Sequence, residues 1–202
     1  MEEEQVFVKL VRRRNKMKRI ALTGNIGCGK SYVSKHLAKL GVFVFDCDVL
    51  AKEVRAQYSD DISAMFHVDA TNPKALASVV FASDEKRVQL ENFLYPKIIE
   101  KMMDIFKQYE NEEIVVIEVP LLFEKNWDGY FDEVWVVSTK EEIALERLLK
   151  YRNMSKEEAK QRLQKQMPLI EKEKRADFII YNNEEDVEKQ IVQYMKKEGI
   201  VC

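Results

Sequence analysis

The residues whose types and spacing could do chemistry begin at Gly24 in this 202-residue chain. Residues 24–31 read GNIGCGKS, which fits the spacing G-x-x-x-x-G-K-[ST] at every required position. Such a loop presents main-chain N–H groups to phosphate oxygens, because glycines carry no side chain that would block the approach. We expect Lys30 to reach the β- and γ-phosphates of a nucleoside triphosphate and the Ser31 hydroxyl to bind Mg²⁺. The pattern therefore predicts a nucleotide-binding loop.

The expected nucleotide contacts extend from the loop into the helix that should follow it. A helix that begins near Lys30 would add its unpaired N–H groups and the positive end of its dipole to the site. Cys28 lies close to that helix start, where it is either a small filler residue or a thiol whose oxidation would block the nucleotide. The residues that we expect to contact the nucleotide here are Asn25, Ile26, Gly27, Cys28, Gly29, Lys30, Ser31 and Tyr32.

A pair of carboxylates, Asp46 and Asp48, stands at the end of a second apolar run, VFVF. If the strand persists, both side chains share one face. If the chain turns at Asp46, only one need point inward, and Asp46 could cap the following helix. A carboxylate near the triphosphate could accept the hydroxyl proton of an acceptor in line with the γ-phosphate. The other could hold a water on Mg²⁺ or orient the acceptor. We expect Asp48 to be catalytic, with Asp46 as its neighbour.

Five apolar runs separated by helical patterns must position these groups. Continuous apolar strands that alternate with helices are typical of an α/β fold with three layers, in which helices cover both faces of a parallel sheet. Ligands bind such sheets at the carboxyl ends of the strands, and we expect strand two to end beside strand one. The helix from about Lys30 should close at Gly41 with a left-handed cap. The predicted strands are residues 19–24, 42–45, 114–119, 133–137 and 177–181.

Two segments depart from this alternation. Residues 58–110 are mostly helical in pattern and form a long excursion between strands two and three. Residues 148–170 are polar and rich in cations, and Ser155 with Glu158 forms a capping box, so a helix should begin there and stop at Pro168. We see no internal repeat and no linker to a second domain. We therefore expect one domain over residues 17–202, with residues 1–16 as an N-terminal extension.

Composition limits the partners that we expect. The chain has 33 Lys and Arg against 35 Asp and Glu, a net charge of −2, which argues against a general nucleic-acid binder. The basic run in residues 12–19 could touch RNA or a membrane, but we favour a solvated arm. Three widely spaced cysteines do not form a disulfide framework. These cysteines suit a reducing cytoplasm, and we find neither a membrane-length apolar run nor a signal-peptide core. We expect a cytoplasmic protein that is a monomer or weak homo-oligomer.

The chain resembles the dephospho-CoA kinase family from about residue 17 to residue 183. The resemblance implies a P-loop NTPase fold and the last step of coenzyme A synthesis, in which ATP, with Mg²⁺, phosphorylates the ribose 3′-hydroxyl of dephospho-CoA. The segments that carry it are LTGNIGCGKS (22–31), DCD (46–48), VVF (79–81), LENFLYPKI (90–98), VPLLFE (119–124), RLLKYR (147–152), RLQKQMP (162–168) and ADFIIYN (176–182).

The resemblance also implies roles for matching positions. Asp48 looks like the carboxylate that acts on the acceptor hydroxyl, residues 58–110 like the acceptor-binding region, and residues 148–170 like a lid over ATP. Arg147 and Arg152 resemble lid arginines that neutralise the transferring phosphoryl group, although either could belong to a solvated helix face. Asn182 resembles the position that helps to hold adenine.

Several positions differ from the usual family pattern. Tyr95 stands where histidine is usual, and Ala77 where arginine or glycine is frequent, so the contacts to the acceptor should differ here. Glycine is usual at Asn25, serine at Cys28, threonine at Tyr32, aspartate at Glu118 and glutamine at Ala144.

Two other functions stay open. One is another small-molecule or nucleotide kinase on the same fold, and the other is a non-catalytic nucleotide switch or RNA-associated module.

Overall fold

A five-stranded parallel sheet carries the predicted loop. The computed structural model describes residues 17–200, and the predicted extension lies outside the described residues. The strands are β1 (Lys18–Thr23), β2 (Phe43–Asp46), β3 (Ile114–Glu118), β4 (Glu133–Ser138) and β5 (Phe178–Tyr181). Their order across the sheet is β2-β3-β1-β4-β5. Each strand agrees with its predicted range to within one residue, so the predicted α/β fold with a parallel sheet is confirmed.

The helices follow the strands in the predicted alternation. They are α1 (Lys30–Lys39), α2 (Cys47–Gln57), α3 (Ser59–Phe66), α4 (Pro73–Val80), α5 (Asp84–Gln108), α6 (Glu141–Arg152), α7 (Lys156–Gln164), α8 (Leu169–Lys174) and α9 (Val187–Lys197). A 3₁₀ turn spans Asp128–Tyr130. Across residues 17–200, no helix combines the length and the apolar character that crossing a bilayer requires.

The central strands are continuous apolar runs because both faces of the sheet are covered. Every residue of β3 is buried. In β4 the Trp135 ring is fully buried and meets the rings of Phe178 and Tyr194 edge-on, each at 5.3 Å between centroids. The apolar core therefore packs against the faces of the sheet. The loops at the carboxyl ends of the strands carry the polar residues of the site.

The position of β2 differs from the prediction that strand two ends beside strand one. A strand has two hydrogen-bonding edges, and both edges of β1 are occupied by other strands. On one side Leu22 pairs with Glu118 of β3, and on the other Thr23 pairs with Val136 of β4. That prediction was wrong, because β3 enters the sheet between β1 and β2.

The described chain divides into two compact units. The first contains residues 17–44 and 109–200, and the second contains residues 45–108 with helices α2 to α5. Inside the second unit, a small core includes the buried side chains of Ile62, Phe66 and Leu76. Lys101 of α5 also pairs with Glu53 of α2 at 2.6 Å, which joins two helices of that unit.

Two of the three predicted helix ends are confirmed. Gly41 adopts φ 83° after α1, and its N–H donates to Ala38 O at 3.1 Å, as expected of a left-handed cap. At the start of α7, Ser155 and Glu158 form the predicted capping box, with both hydrogen bonds at 3.2 Å. The predicted stop at Pro168 was wrong, because α7 already ends at Gln164 and Met167 N–H donates to Glu124 Oε1 instead of a helical carbonyl.

Candidate active site

The loop of residues 24–29 joins the carboxyl end of β1 to the first turn of α1, the context that the motif requires. None of its three glycines can be replaced without a clash. Gly27 has φ 82°, and a Cβ there would lie 2.7 Å from Ala144 O of α6. Gly24 has φ 146°, and a Cβ there would lie 2.5 Å from Val137 O of the adjacent strand. Gly29 has φ 93°, and a Cβ there would collide with the Asn182 side-chain amide. The loop is therefore shaped by close approach to β4 and to the chain after β5.

Lys30 lies across the loop that precedes it. Its Nζ donates to Gly24 O at 2.9 Å and to Asn25 O at 3.4 Å. These bonds hold the ammonium against the main chain of the loop, where a point charge can meet phosphate oxygens. The next two residues, Ser31 and Tyr32, are exposed at the start of α1. The first turn of α1 thus presents a cation, a hydroxyl and helix N–H groups together.

Asn182 and Arg147 both hold the main chain of the loop. Asn182 is 7 % exposed, and its Nδ2 donates to Cys28 O at 2.8 Å. Arg147 donates from one guanidinium nitrogen to Cys28 O at 3.2 Å and from the other to Asn182 O at 2.9 Å. The alternative that Arg147 belongs to a solvated helix face is therefore wrong. The two residues form a bracket around one loop carbonyl.

Arg152 has different surroundings from Arg147, although α6 carries both. It is the last residue of α6 and is exposed. Within residues 17–200, its side chain makes no hydrogen bond or ion pair. The long side chain can therefore move without breaking an internal contact.

Asp46 and Asp48 belong to the second unit, and the chain turns between them. Asp46 is the N-cap of α2, and its Oδ1 accepts a hydrogen bond from Asp48 N at 2.8 Å. The capping alternative for Asp46 is thereby confirmed. Asp48 is exposed in the first turn of α2, where the helix dipole favours a negative charge. Burial, followed by the charges of Asp48 and Asp46, raises the pKa of the intervening Cys47 thiol to about 12.

Mg²⁺ is held in many kinases by few protein ligands together with phosphate oxygens. Over residues 17–200, no group of three or more histidine, cysteine or acidic side chains could hold a metal alone. The oxygen donors near the loop nevertheless suit a hard cation. Ser31 supplies a hydroxyl, and Glu118 ends β3 beside β1 and accepts from the Ser34 hydroxyl at 2.9 Å. Glu118 was not among the predicted site residues. Its position as an acidic residue at the end of an apolar strand could have indicated it.

The segment after α7 also contacts the loop, which sequence analysis did not anticipate. Ile26 N–H donates to Gln166 Oε1 at 2.7 Å, and Asn25 Nδ2 donates to Met167 O at 3.3 Å. Lys172 of α8 is fully buried and pairs with Glu124 at 2.9 Å. Gln166 and Met167 lie about 140 residues from their loop partners, so no local pattern could have indicated these contacts.

A strand, a GxxxxGK[ST] loop and a helix on a parallel sheet define a P-loop nucleotide-binding fold. The sequence profile of the dephospho-CoA kinase family matches residues 18–188. The chain belongs to the dephospho-CoA kinase family. It is 40% identical over 176 residues to a dephospho-CoA kinase of Bacillus thuringiensis subsp. konkukian, covering 81% of this chain and 88% of the relative.

Solved structures give the same picture. The crystal structure of TT1252 from Thermus thermophilus is similar with a TM-score of 0.83 and 31% identity, covering 91% of this chain and 98% of that one. A dephospho-CoA kinase from Campylobacter jejuni is similar with a TM-score of 0.65 and 27% identity, covering 90% of this chain and 97% of that one. The similarity therefore extends over nearly the whole chain.

Proposed function

We propose that this protein transfers the γ-phosphate of ATP to the ribose 3′-hydroxyl of dephospho-CoA, giving coenzyme A and ADP. The observation that carries the proposal is the family match over residues 18–188, which includes the loop, both aspartates and Asn182. The geometry of the loop agrees with it, because loop N–H groups, Lys30 and the start of α1 form a cradle for phosphates. Formation of coenzyme A would make this the final step of its biosynthesis.

The ATP site is assigned to the loop and the first turn of α1. In residues 25–32, main-chain N–H groups such as those of Gly27, Gly29 and Ser31 would contact phosphate oxygens, whereas the Ile26 N–H keeps its bond to Gln166. Lys30 would exchange its bonds to loop carbonyls for the β- and γ-phosphates. Ser31 would hold Mg²⁺, and Glu118, which ends β3 next to β1, would hold water around that ion. Bound Mg²⁺ would neutralise charge on the phosphates.

Asp48 is assigned as the general base. The acceptor oxygen attacks the γ-phosphorus, its proton passes to the Asp48 carboxylate, and ADP leaves. Its place directly after β2 and the matching DCD segment support this role. Asp46 contributes as the cap that fixes the first turn of α2. Residues 58–110 are proposed to bind the acceptor, with Tyr95 and Ala77 giving contacts different from those usual in the family.

The two arginines are proposed to have different roles. Arg147 and Asn182 already bind the loop carbonyl of Cys28, so they would act on the nucleotide by fixing the loop. Arg152 is exposed and could reach a transferring phosphoryl group from the edge of the proposed lid, residues 148–170. A loose transition state spreads negative charge, which a mobile arginine can stabilise. Closing the lid would exclude water from the reaction.

We place the reaction in the cytoplasm, with ATP and dephospho-CoA as partners and neither nucleic acid nor membrane. The free thiols of Cys28 and Cys47 suit a reducing compartment. A monomer or weak homo-oligomer is enough, because all proposed residues come from one chain. The kinase domain is assigned to residues 17–202.

A coupled ADP-release assay with three acceptors tests the proposal. Dephospho-CoA should give turnover that depends on both acceptor and Mg²⁺, whereas AMP and shikimate should give background rates. A rate with AMP or shikimate well above that with dephospho-CoA would assign a different kinase. No turnover above background with dephospho-CoA would overturn the proposed function.

Removing residues 1–16 distinguishes two functions: a kinase, and a nucleotide-binding switch or RNA-associated module that uses the basic arm. The family match begins at residue 18, so the truncated chain should keep nearly its full turnover. ATP binding without acceptor-dependent turnover in either form would favour the switch.

A further inference from the structure

A buried ion pair lies close to the phosphate loop in the first unit. Lys172 has no exposed surface, and its Nζ lies 2.9 Å from Glu124 Oε1, without the alignment of a hydrogen bond. Burial, reinforced by the positive charge of Lys30, lowers the pKa of Lys172, and Glu124 opposes that effect. Buried ion pairs add little net stability compared with apolar residues of similar size. This pair therefore calls for a role other than stabilisation.

The carboxylate of Glu124 connects this pair to the segment after α7. Glu124 Oε1 accepts from Met167 N–H at 2.9 Å, and it is the oxygen that faces Lys172. Burial alone would raise the pKa of Glu124, but Lys172 and the Met167 N–H outweigh it and the pKa is lowered. Glu124 therefore stays ionised at neutral pH, and its Oε1 contacts both Lys172 Nζ and the Met167 N–H.

The same short segment holds the first half of the loop. Gln166 Oε1 accepts from Ile26 N–H, and Met167 O accepts from Asn25 Nδ2. Residues 166–167 are consequently bonded to Glu124 through the Met167 N–H, and to two consecutive loop residues through the Gln166 side chain and the Met167 carbonyl. We call residues 166–167 the strap.

We propose that Glu124 and Gln166 are positioning residues for phosphoryl transfer, which act through the strap on Asn25 and Ile26. Lys172 serves as the counterion that orients Glu124. This inference rests on the proposed function, because it assigns the loop to ATP. Misplacing reacting groups by about 1 Å can cost on the order of a hundredfold in rate. A strap that fixes the loop is therefore expected to affect turnover more than nucleotide binding.

Two double variants isolate the hydrogen bond to Met167 from the buried charges. Glu124→Gln/Lys172→Met removes both charges but keeps an oxygen that can accept from Met167 N–H. Glu124→Leu/Lys172→Met removes both charges and the acceptor. Neither variant leaves an unpaired buried charge, so both are expected to fold. The first should keep kcat within a few-fold of wild type, and the second should lose about ten- to a hundredfold.

A matched pair of single variants tests the other end of the strap. Gln166→Leu removes the acceptor of Ile26 N–H, whereas Gln193→Leu makes the same change at an exposed position of α9. The first should lower kcat with little change in the dissociation constant of ADP, and the second should resemble wild type. Stoichiometry of ADP binding reports the folded fraction in each preparation.

Hydrogen exchange of the loop amides gives a readout that needs no turnover. The amides of residues 24–31 should exchange several times faster in Glu124→Leu/Lys172→Met than in Glu124→Gln/Lys172→Met. Equal kcat and equal exchange in the two doubles would overturn the strap while leaving the proposed function intact. A wild-type chain that is inactive with dephospho-CoA would overturn the proposed function. The hydrogen-exchange comparison of the two double variants would then be the test of the strap.

Discussion

Asn182, the residue that follows β5, donates a hydrogen bond of 2.8 Å from its side-chain amide to the main-chain oxygen of Cys28 in the phosphate loop. The two residues are 154 positions apart in sequence. The bond is buried and is shared with Arg147, which contacts the same oxygen. A loop fixed in this way keeps its N–H groups directed at the phosphates before the nucleotide arrives, which lowers the ordering cost of binding.

Replacing Asn182 should therefore weaken ATP binding as well as the fold. In Asn182→Ala we expect the dissociation constant of ATP to rise several-fold and the free energy of unfolding to fall by about 1–3 kcal/mol, because Cys28 O loses a buried donor. Calorimetric titration and urea unfolding measure the two quantities. Asn183→Ala is the matched control, since Asn183 bonds Thr139 and Lys140 N–H but not the loop. Equal ATP affinity in the two variants would contradict the bracket.

Arg147→Lys distinguishes action through the loop from direct contact with the transferred group. Lysine keeps the charge but cannot supply two N–H groups to two carbonyls in the fixed geometry of a guanidinium. We expect the affinities for ATP and ADP to weaken together by a similar factor. Unchanged ADP affinity with a large loss of kcat would instead place Arg147 on the transferring phosphoryl group.

Asp48→Asn tests the general base. Turnover should fall by about a hundred- to ten-thousandfold, because the amide cannot accept the acceptor's proton. ATP affinity should stay close to that of wild type, as measured by fluorescence or calorimetric titration. Glu141→Gln makes the same acid-to-amide change in the first turn of α6 and should leave turnover unchanged. A parallel loss of ATP affinity in Asp48→Asn would point to a role in holding metal.

A carboxylate in the first unit, Glu133, should make stability depend on acid pH. Burial opposes its ionisation, but hydrogen bonds from Lys18, Trp135 and Tyr194 outweigh burial and lower its pKa. A lowered folded-state pKa stabilises the protein above the ordinary glutamate range, about 4.3, and that contribution is lost as pH falls through the folded-state value.

Urea unfolding of wild type and Glu133→Gln between pH 7 and pH 3 measures this contribution. The difference between their free energies of unfolding should be largest at neutral pH and should shrink on acidification. A difference that stays constant over this range would show that Glu133 does not titrate in the folded protein at a lowered pKa.

Local signals in the sequence were sufficient for the strands and the loop. Five apolar runs, the glycine spacing from Gly24 and the Ser155–Glu158 box each depend on residues close together in the chain, and each holds in the structure. Strand order did not follow from those signals, because β3 pairs with β1 across 96 residues, as in Lys18 with Ile114, and so separates β1 from β2.

The long-range contacts of the site were also beyond local reasoning. Lys172 lies in the polar sequence LIEKEK, which is typical of an exposed helix, yet Glu124 gives it a buried partner. The Cys28 oxygen carries no side-chain signal at all, so its bonds to Arg147 and Asn182 could only be seen once the fold was known. Main-chain partners of this kind are set by the fold and leave no mark on spacing or composition.

The most direct measurement follows the transferred phosphate itself. The chain is incubated with dephospho-CoA, Mg²⁺ and ATP labelled in its γ-phosphate, and phosphorus NMR locates the label in the product. The account predicts that the label appears on the ribose 3′-oxygen, in a product that co-migrates with coenzyme A. Label found only in inorganic phosphate, or on any other position of the acceptor, would contradict it.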